Sequence, residues 1–299
     1  AASHYPAELY DLVLWDHGGG PHGGFGIDEF DPTERTMSVG AILRALQKST
    51  VEHFNIIDFD ACLMSSAEIV ATLSGMADYL VLSAESEPGN GQEYTTWFNA
   101  LSADPQIDGF DLGKIIVDAF IAFYEDEESE GAGQQGTLAV INTKNFRERM
   151  LPALIRLVKT INRELTVIGD ISKKVNFYDE LGASHYAYQF EDMALLDLAT
   201  FANSLGLTRT EINNLDPDGF DMLENAYTPV TSEIEKILAD QDGSGDDVIY
   251  AGATANAERT TSAKTVYVRG ADGAPVHATS YFPGGMSLFY APDDVGCTM

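Results

Sequence analysis

The chain reads as an α/β protein: a mostly parallel sheet sandwiched by helices, with additions at the C-terminal end. Three observations predict this. Short apolar runs at residues 12–15, 54–59 and 79–84 each stop abruptly at polar or glycine residues, as buried strands do. Segments 37–48 and 64–73 carry apolar residues at helical spacing and alternate with those runs. Strands that alternate with helices in this way build βαβ units, whose strands run parallel.

Residues 4–8 are a short polar lead-in. The first strand then runs into DLVLWDHGGGPHGGFG, residues 11–26. Its apolar stretch stops at His17, followed by Gly18, Gly19 and Gly20. Glycines here let backbone N–H groups face a reacting carbonyl without side chains in the way. Residues 21–31 read as a glycine-rich loop over the site. His22 lies in that loop as a rival base, while His17 holds the strand end. A His-Gly-Gly-Gly run also marks the oxyanion loop of α/β-hydrolase esterases, but those need a Gly-x-Ser-x-Gly elbow, and this sequence has none. Residues 32–35 are a polar linker. The helix at 37–48 follows, with Thr36 or Ser38 as its cap.

The stretch FNIIDFDACLMSSAEI, residues 54–69, organises the rest. A strand that runs into a helix leaves Cys62 at the turn, beside unpaired backbone N–H groups. Those partial positive charges favour thiolate over thiol, which a nucleophile needs. His17 and Cys62 are 45 residues apart, which leaves room for one crossover helix between neighbouring parallel strands. Histidine at one strand end can then take the thiol proton of the other and return it to a leaving amine. Asp60, two residues before Cys62, shares its side of the strand. A carboxylate there suits a substrate cation, the forked guanidinium best. Asp58, one alternation back, is structural or a supporting acid.

Residues 79–84 form another buried strand. Glu85, Ser86, Glu87 and the 88–91 turn lie at its end as pocket walls, with Glu85 and Asn90 as substrate-binding candidates. Tyr94 and Trp97 read as core anchors. An amphipathic helix covers 111–124 and an acidic loop 125–130. A fourth strand covers 136–141, and a helix pair 144–168. Residues 179–188 are loop-like. A helix at 191–205 turns Leu195, Leu196 and Leu198 inward, and a further helix ends near Ala239. Residues 240–247 place four carboxylates among glycines, and Asp240, Asp242 and Asp246 would be the ligands of a hard cation. Residues 264–269, 277–282 and 286–290 read as strands, the last completing the central sheet. The organisation is thus a core over 1–145, a mainly helical portion over 146–240 and a β-containing portion over 241–299.

His17-Gly18 after one strand and Asp60-Ala61-Cys62 after the next resemble the dyad motifs of the clostripain-like cysteine peptidases, in the caspase, legumain and gingipain clan. The likeness continues through residues 83–91 and 94–97, and more thinly at 195–202 and 285–290. The resemblance implies a caspase-like three-layer sandwich. It implies Cys62 as nucleophile, His17 as proton shuttle, and the Gly18 and Cys62 N–H groups as oxyanion donors. Asp60 would line the primary specificity pocket for Arg or Lys. Members of this family can mature from a zymogen by cutting themselves after a basic residue between the dyad residues, and Arg35 is the candidate here. Some need calcium. The family usually has a further strand and helix before the histidine strand, and a secreted or surface location in bacteria.

Composition bounds the reading. With 299 residues, 44% hydrophobic, the chain can bury one large or two modest cores. Acids outnumber bases 47 to 17 for a net charge of −30. That excludes nucleic acid and anionic membranes as partners and favours basic peptides or a divalent metal. Two cysteines, Cys62 and Cys297, make no disulfide framework. No apolar run approaches the ~20 residues of a membrane span. The opening Ala1-Ala2-Ser3-His4 looks like the inside of something longer.

The expected function is a cysteine endopeptidase that cleaves after Arg, with Lys second, through a thioester acyl-enzyme. It needs no cofactor for chemistry, with Ca2+ as the one candidate ion. Its partners are peptides with Arg or Lys at the cut, and its assembly a monomer or cleaved chains that stay associated. The alternative is a catalytically inactive surface protein on the same fold that binds calcium or basic peptides.

Overall fold

The computed structural model describes residues 2, 4–28, 30, 33, 35–152, 154–155, 159, 195–197, 249–254, 268–269, 275–276 and 287–289. Strand β1 covers Asp11–Trp15, β2 Phe54–Asp60, β3 Ala77–Leu82 and β4 Thr137–Asn142. Helix α1 covers Gly20–Gly23, α2 Val39–Gln47, α3 Ala67–Leu73, α4 Tyr94–Ala103, α5 Gly109–Glu125 and α6 Thr143–Asn145, which continues as a π-helical turn over Phe146–Met150. After β5 (Leu195–Asp197), strand β6 (Ile249–Ala253) completes a five-stranded sheet of order β1-β2-β3-β4-β6.

Strands β1, β2 and β3 are mutually parallel, and β4 is antiparallel to both of its neighbours. Four of the five strands therefore point the same way. The reversal at β4 has a local cause. Two helices, α4 and α5, fill the connection from β3, so the chain returns to the edge it left. The sequence reading assigned no helix to 94–103, where aromatic residues looked like loop anchors.

All seven residues of β2 are buried, as expected of the centre of a layered fold. Its two faces feed two cores. Ile57 and Phe59 pack with Ile42, Leu46, Ile69 and Leu73 of α2 and α3. Ile56 packs with Trp97, Phe110, Ile116 and Phe120 of α4 and α5. Side-chain polar groups start these helices. The Ser38 hydroxyl accepts from the Ala41 N–H, and the Ser66 hydroxyl from the Ile69 N–H. Asp108 accepts from Phe110, and Glu93 from Thr95 and Thr96. Such caps satisfy the open first turn of each helix.

Several expectations shift. Helix α3 begins at Ala67 and not at 64, because Ser66 caps it and the chain before it stays extended. Helix α2 begins at Val39, since Met37 instead bridges to Phe25. Residues 195–197, expected within a helix, form β5 and pair with β9 (Ser287–Phe289). Two adjacent leucines suit a short strand as well as a helix. Strand β9, expected to complete the central sheet, is therefore absent from it, and β6 takes that edge. Near the C-terminus β7 (Val268–Arg269) pairs with β8 (Pro275–Val276). The acidic stretch with Asp240, Asp242 and Asp246 lies outside the described residues, as does Cys297.

Candidate active site

Parallel pairing sets the last residues of β1 and β2 side by side, with Trp15 opposite Asp60. The Asp16 N–H reaches the Asp60 carbonyl at 3.4 Å. Both strands then leave the sheet at one edge, where open α/β sheets place their ligands. The two exits touch at Gly18. A Cβ built there would lie 2.0 Å from the Cys62 carbonyl oxygen, so only glycine permits this approach. His17 and Cys62 both line the resulting pocket, whose volume is about 400 Å³.

His17 is exposed at the rim. Its N–H donates to Asp16 Oδ1 at 2.6 Å, and its carbonyl accepts from Gly26 at 2.8 Å. Asp16 Oδ1 also accepts from Ile27 at 3.1 Å, which pins the loop over the site. His22 sits exposed on α1 and does not line the pocket.

Cys62 is half-buried. Four residues separate it from the first residue of α3, so the sulfur does not sit in the first turn of that helix. This corrects the expected source of its electrostatic support. The donor is instead the Glu87 N–H, 3.2 Å from Sγ. The next residue, Leu63, has φ 61°, the sole positive φ at a non-glycine among the described residues. That conformation costs roughly 1–2 kcal/mol. Its N–H donates to the Glu85 carbonyl at 3.0 Å, and Ser65 donates to the Ser83 carbonyl at 2.7 Å. The β3 exit thus clamps the turn that presents Cys62. The Gly18 and Cys62 N–H groups have no acceptor among the described residues.

Below the sulfur the pocket is acidic. Asp60 is 3% exposed, and its Oδ2 accepts from the Gln92 N–H at 3.1 Å and the Tyr94 hydroxyl at 2.6 Å. Tyr94, expected as a core anchor, is therefore part of the pocket's support. Burial by the pocket, then the Asp60 hydrogen bond, pushes its phenol far up. Gly91 has φ +69° and passes so close that a Cβ there would lie 2.8 Å from Asp60 Oδ2. Asp58 Oδ1 accepts from the Gln92 side chain at 2.9 Å, and burial pushes its carboxyl up to about 8. Glu87 lines the pocket, with both carboxylate oxygens buried, reached by no donor and set beside the Asp60 carboxylate. Burial first, then the Asp60 charge, holds it well above the usual carboxylate range.

The remaining candidates are elsewhere. Glu85 does not line the pocket, and its backbone ties Leu63 and Thr137 together. Asn90 is exposed and accepts from the Gln134 amide at 3.4 Å. Arg35 is exposed between α1 and α2, with its Nε on Thr33 Oγ1 at 2.8 Å. Among the described residues no group of three or more His, Cys, Asp or Glu side chains could hold a metal ion. The alternation of acids before Cys62 was a signal for Asp60. Nothing local distinguished Glu87 from its acidic neighbours.

His17 and Cys62 stand at adjacent strand exits over a sheet of caspase-like fold, and the matching family model makes the class a cysteine peptidase. The clostripain family model matches residues 1–240, and the chain belongs to that family. Among solved structures it resembles a secreted C11 cysteine protease from Bacteroides thetaiotaomicron bound to an irreversible peptide inhibitor, at 20% identity and TM-score 0.58, covering 99% of this chain and 70% of that one. An inactive zymogen C11 protease from Parabacteroides distasonis aligns at 22% identity and TM-score 0.54, covering 98% and 67%. These likenesses speak to the fold. Comparison with the curated proteins finds no significant match. No helix among the described residues is long and apolar enough to cross a membrane.

Proposed function

We propose that the chain is an endopeptidase that cuts after arginine, with lysine second, using His17 and Cys62. The observation that carries this reading is the acidic floor beneath the sulfur. Asp60 and Glu87 line it, Asp58 lies behind it, and no Lys or Arg among the described residues pairs with any of the three. A buried negative site without its own cation favours one brought by the substrate.

In this mechanism the arginine side chain enters over Asp60 and sets the arginine's own carbonyl against Sγ. His17 takes the thiol proton, and the sulfur attacks the carbonyl carbon. The free Gly18 and Cys62 N–H groups receive the oxyanion, each worth on the order of 10²–10³ in rate. His17 then protonates the leaving amine, and water releases the acid from the thioester. The Glu87 N–H supports the thiolate before attack. The exposure of Arg35 supports self-processing there, and the likeness to a secreted relative supports export. Calcium at Asp240, Asp242 and Asp246 remains a proposal on sequence grounds.

The test compares the unmodified chain with Cys62→Ala on paired fluorogenic peptides that carry arginine or norleucine before the cut. Arginyl hydrolysis should appear in the unmodified chain alone. Equal signal from both chains, or no preference for arginine, would remove the reading.

A further inference from the structure

We propose that Glu87 is a specificity-determining second acid that enters the cycle with its proton and gives it to solvent when a substrate cation fills the pocket. Substrate binding is then a proton-releasing event. The inference rests on the reading of the pocket as a cation site.

The geometry sets the two pocket acids apart. Asp60 Oδ2 takes hydrogen bonds from the Gln92 N–H and the Tyr94 hydroxyl. Glu87 takes no donor on either oxygen, although both are buried, and its hydrogen-bonding neighbour is the Asp60 carboxylate, to which only a protonated Glu87 can donate. Its backbone is not free to swing away, since the Glu87 N–H is held on Cys62 Sγ. A buried carboxylate with no donor is far less stable than the neutral acid. The groups that face Glu87 are Asp58, Asp60 and Cys62 from β2 and its exit, Tyr94 from α4, Tyr124 from α5, and Asp16 and His17 at the rim. No lysine or arginine is among them. Burial and the anions around it favour the protonated form in the empty pocket.

A guanidinium or ammonium in the pocket reverses that balance. It supplies the missing charge and donors, so the Glu87 proton leaves to bulk buffer and the carboxylate pairs with the incoming cation. By linkage, affinity for a cationic side chain rises with pH until the free protein loses the same proton, and is then flat. The pocket thus avoids two uncompensated negative charges when empty, yet offers two acids when filled.

The experiment uses the full chain carrying Cys62→Ser, which stops turnover of bound peptide and keeps an acceptor where the Glu87 N–H is held. An arginyl peptide is titrated by calorimetry in buffers of different ionisation enthalpy, across about pH 5–9. The chain with Glu87 should release about one proton per peptide more than the chain with Glu87→Gln. Asp16, Asp58, Asp60 and His17 are common to both chains, so the difference reads the proton that Glu87 brings to the pocket. Equal release would overturn the inference. A readout that leaves Glu87 in place guards against a disturbed pocket. The part of the protonated-carboxyl C=O stretch in the infrared that Glu87→Gln removes, and that Asp58 does not contribute, should disappear from the chain with Glu87 when peptide binds, and its undiminished strength would overturn the inference. Arginine selectivity with equal proton release sinks this inference alone. Equal affinity for arginyl and norleucyl peptides sinks the cation pocket and the inference with it.

Discussion

Replacing Gly18 by alanine perturbs the contact on which the site's geometry turns. The added Cβ would sit 2.0 Å from the Cys62 carbonyl oxygen and 3.0 Å from its carbonyl carbon and amide nitrogen. All three are backbone atoms, so no side chain can rotate out of the way. Ordinary contact begins near 3.4 Å, and the two strand exits would have to part by about 1.4 Å. Overpacking of this kind destabilises by roughly 1–3 kcal/mol, which a domain of this size survives. Its effect on catalysis is larger. A misplacement of about 1 Å between reacting groups lowers rates on the order of 10²-fold. Moving the Gly18 N–H away from the oxyanion removes on the order of 10²–10³ more. The account therefore predicts that Gly18→Ala loses at least about 10² in kcat/KM on an arginyl fluorogenic peptide. Circular dichroism should show a folded protein, with a modestly lower Tm. A folded variant with kcat/KM within a few-fold of the unmodified enzyme would refute the proposed convergence of the two strand ends.

Asp60→Asn removes charge while keeping an acceptor for Gln92 and Tyr94. Arginyl kcat/KM should fall on the order of 10²–10³, with the iodoacetamide reactivity of Cys62 kept; equal losses in both would make Asp60 structural. Burial raises Asp58 from 3.8 to about 8, so the folded chain keeps a proton that the unfolded chain sheds at lower pH. Its stability then declines as pH climbs from about 4 to about 8, by up to about 1.4 kcal/mol per pH unit. Asp58→Asn should flatten that decline in thermal melts, and parallel melting curves for the two proteins would count against the burial argument. Fragments ending at Arg35 should appear in mass spectra of the stored enzyme and vanish in Arg35→Gln and in Cys62→Ala. Their survival in Cys62→Ala would assign the cut to another protease.

The site was legible where the sheet dictates it. An apolar run that stops at a polar residue marks a strand end, and two such ends identified His17 and Cys62. The alternation Asp58-Phe59-Asp60 likewise put the acids on one face of β2 and Phe59 on the other, in separate packing environments. What could not be read depends on tertiary context. Helix α4 is short and aromatic, with Trp97 stacked on Phe98 at 4.0 Å, and missing it also hid the reversal of β4. Strand β6 holds a glycine and follows an acidic stretch, so it lacked a strand's usual signature. Glu87 differs from Glu85 only in what surrounds it once folded. The helix expected directly after Cys62 starts later because Leu63 and Ser65 are tied to the β3 exit, a contact with no local signal.

The central claim is that His17 and Cys62 act together above a pocket for a cationic side chain. An irreversible arginyl peptide ketone, followed by peptide mass spectrometry, tests it most directly. The account predicts one adduct, on Cys62, formed far faster than with a norleucyl analogue and slowed in His17→Ala. An unlabelled Cys62, or labelling indifferent to both the arginine and the histidine, would contradict it.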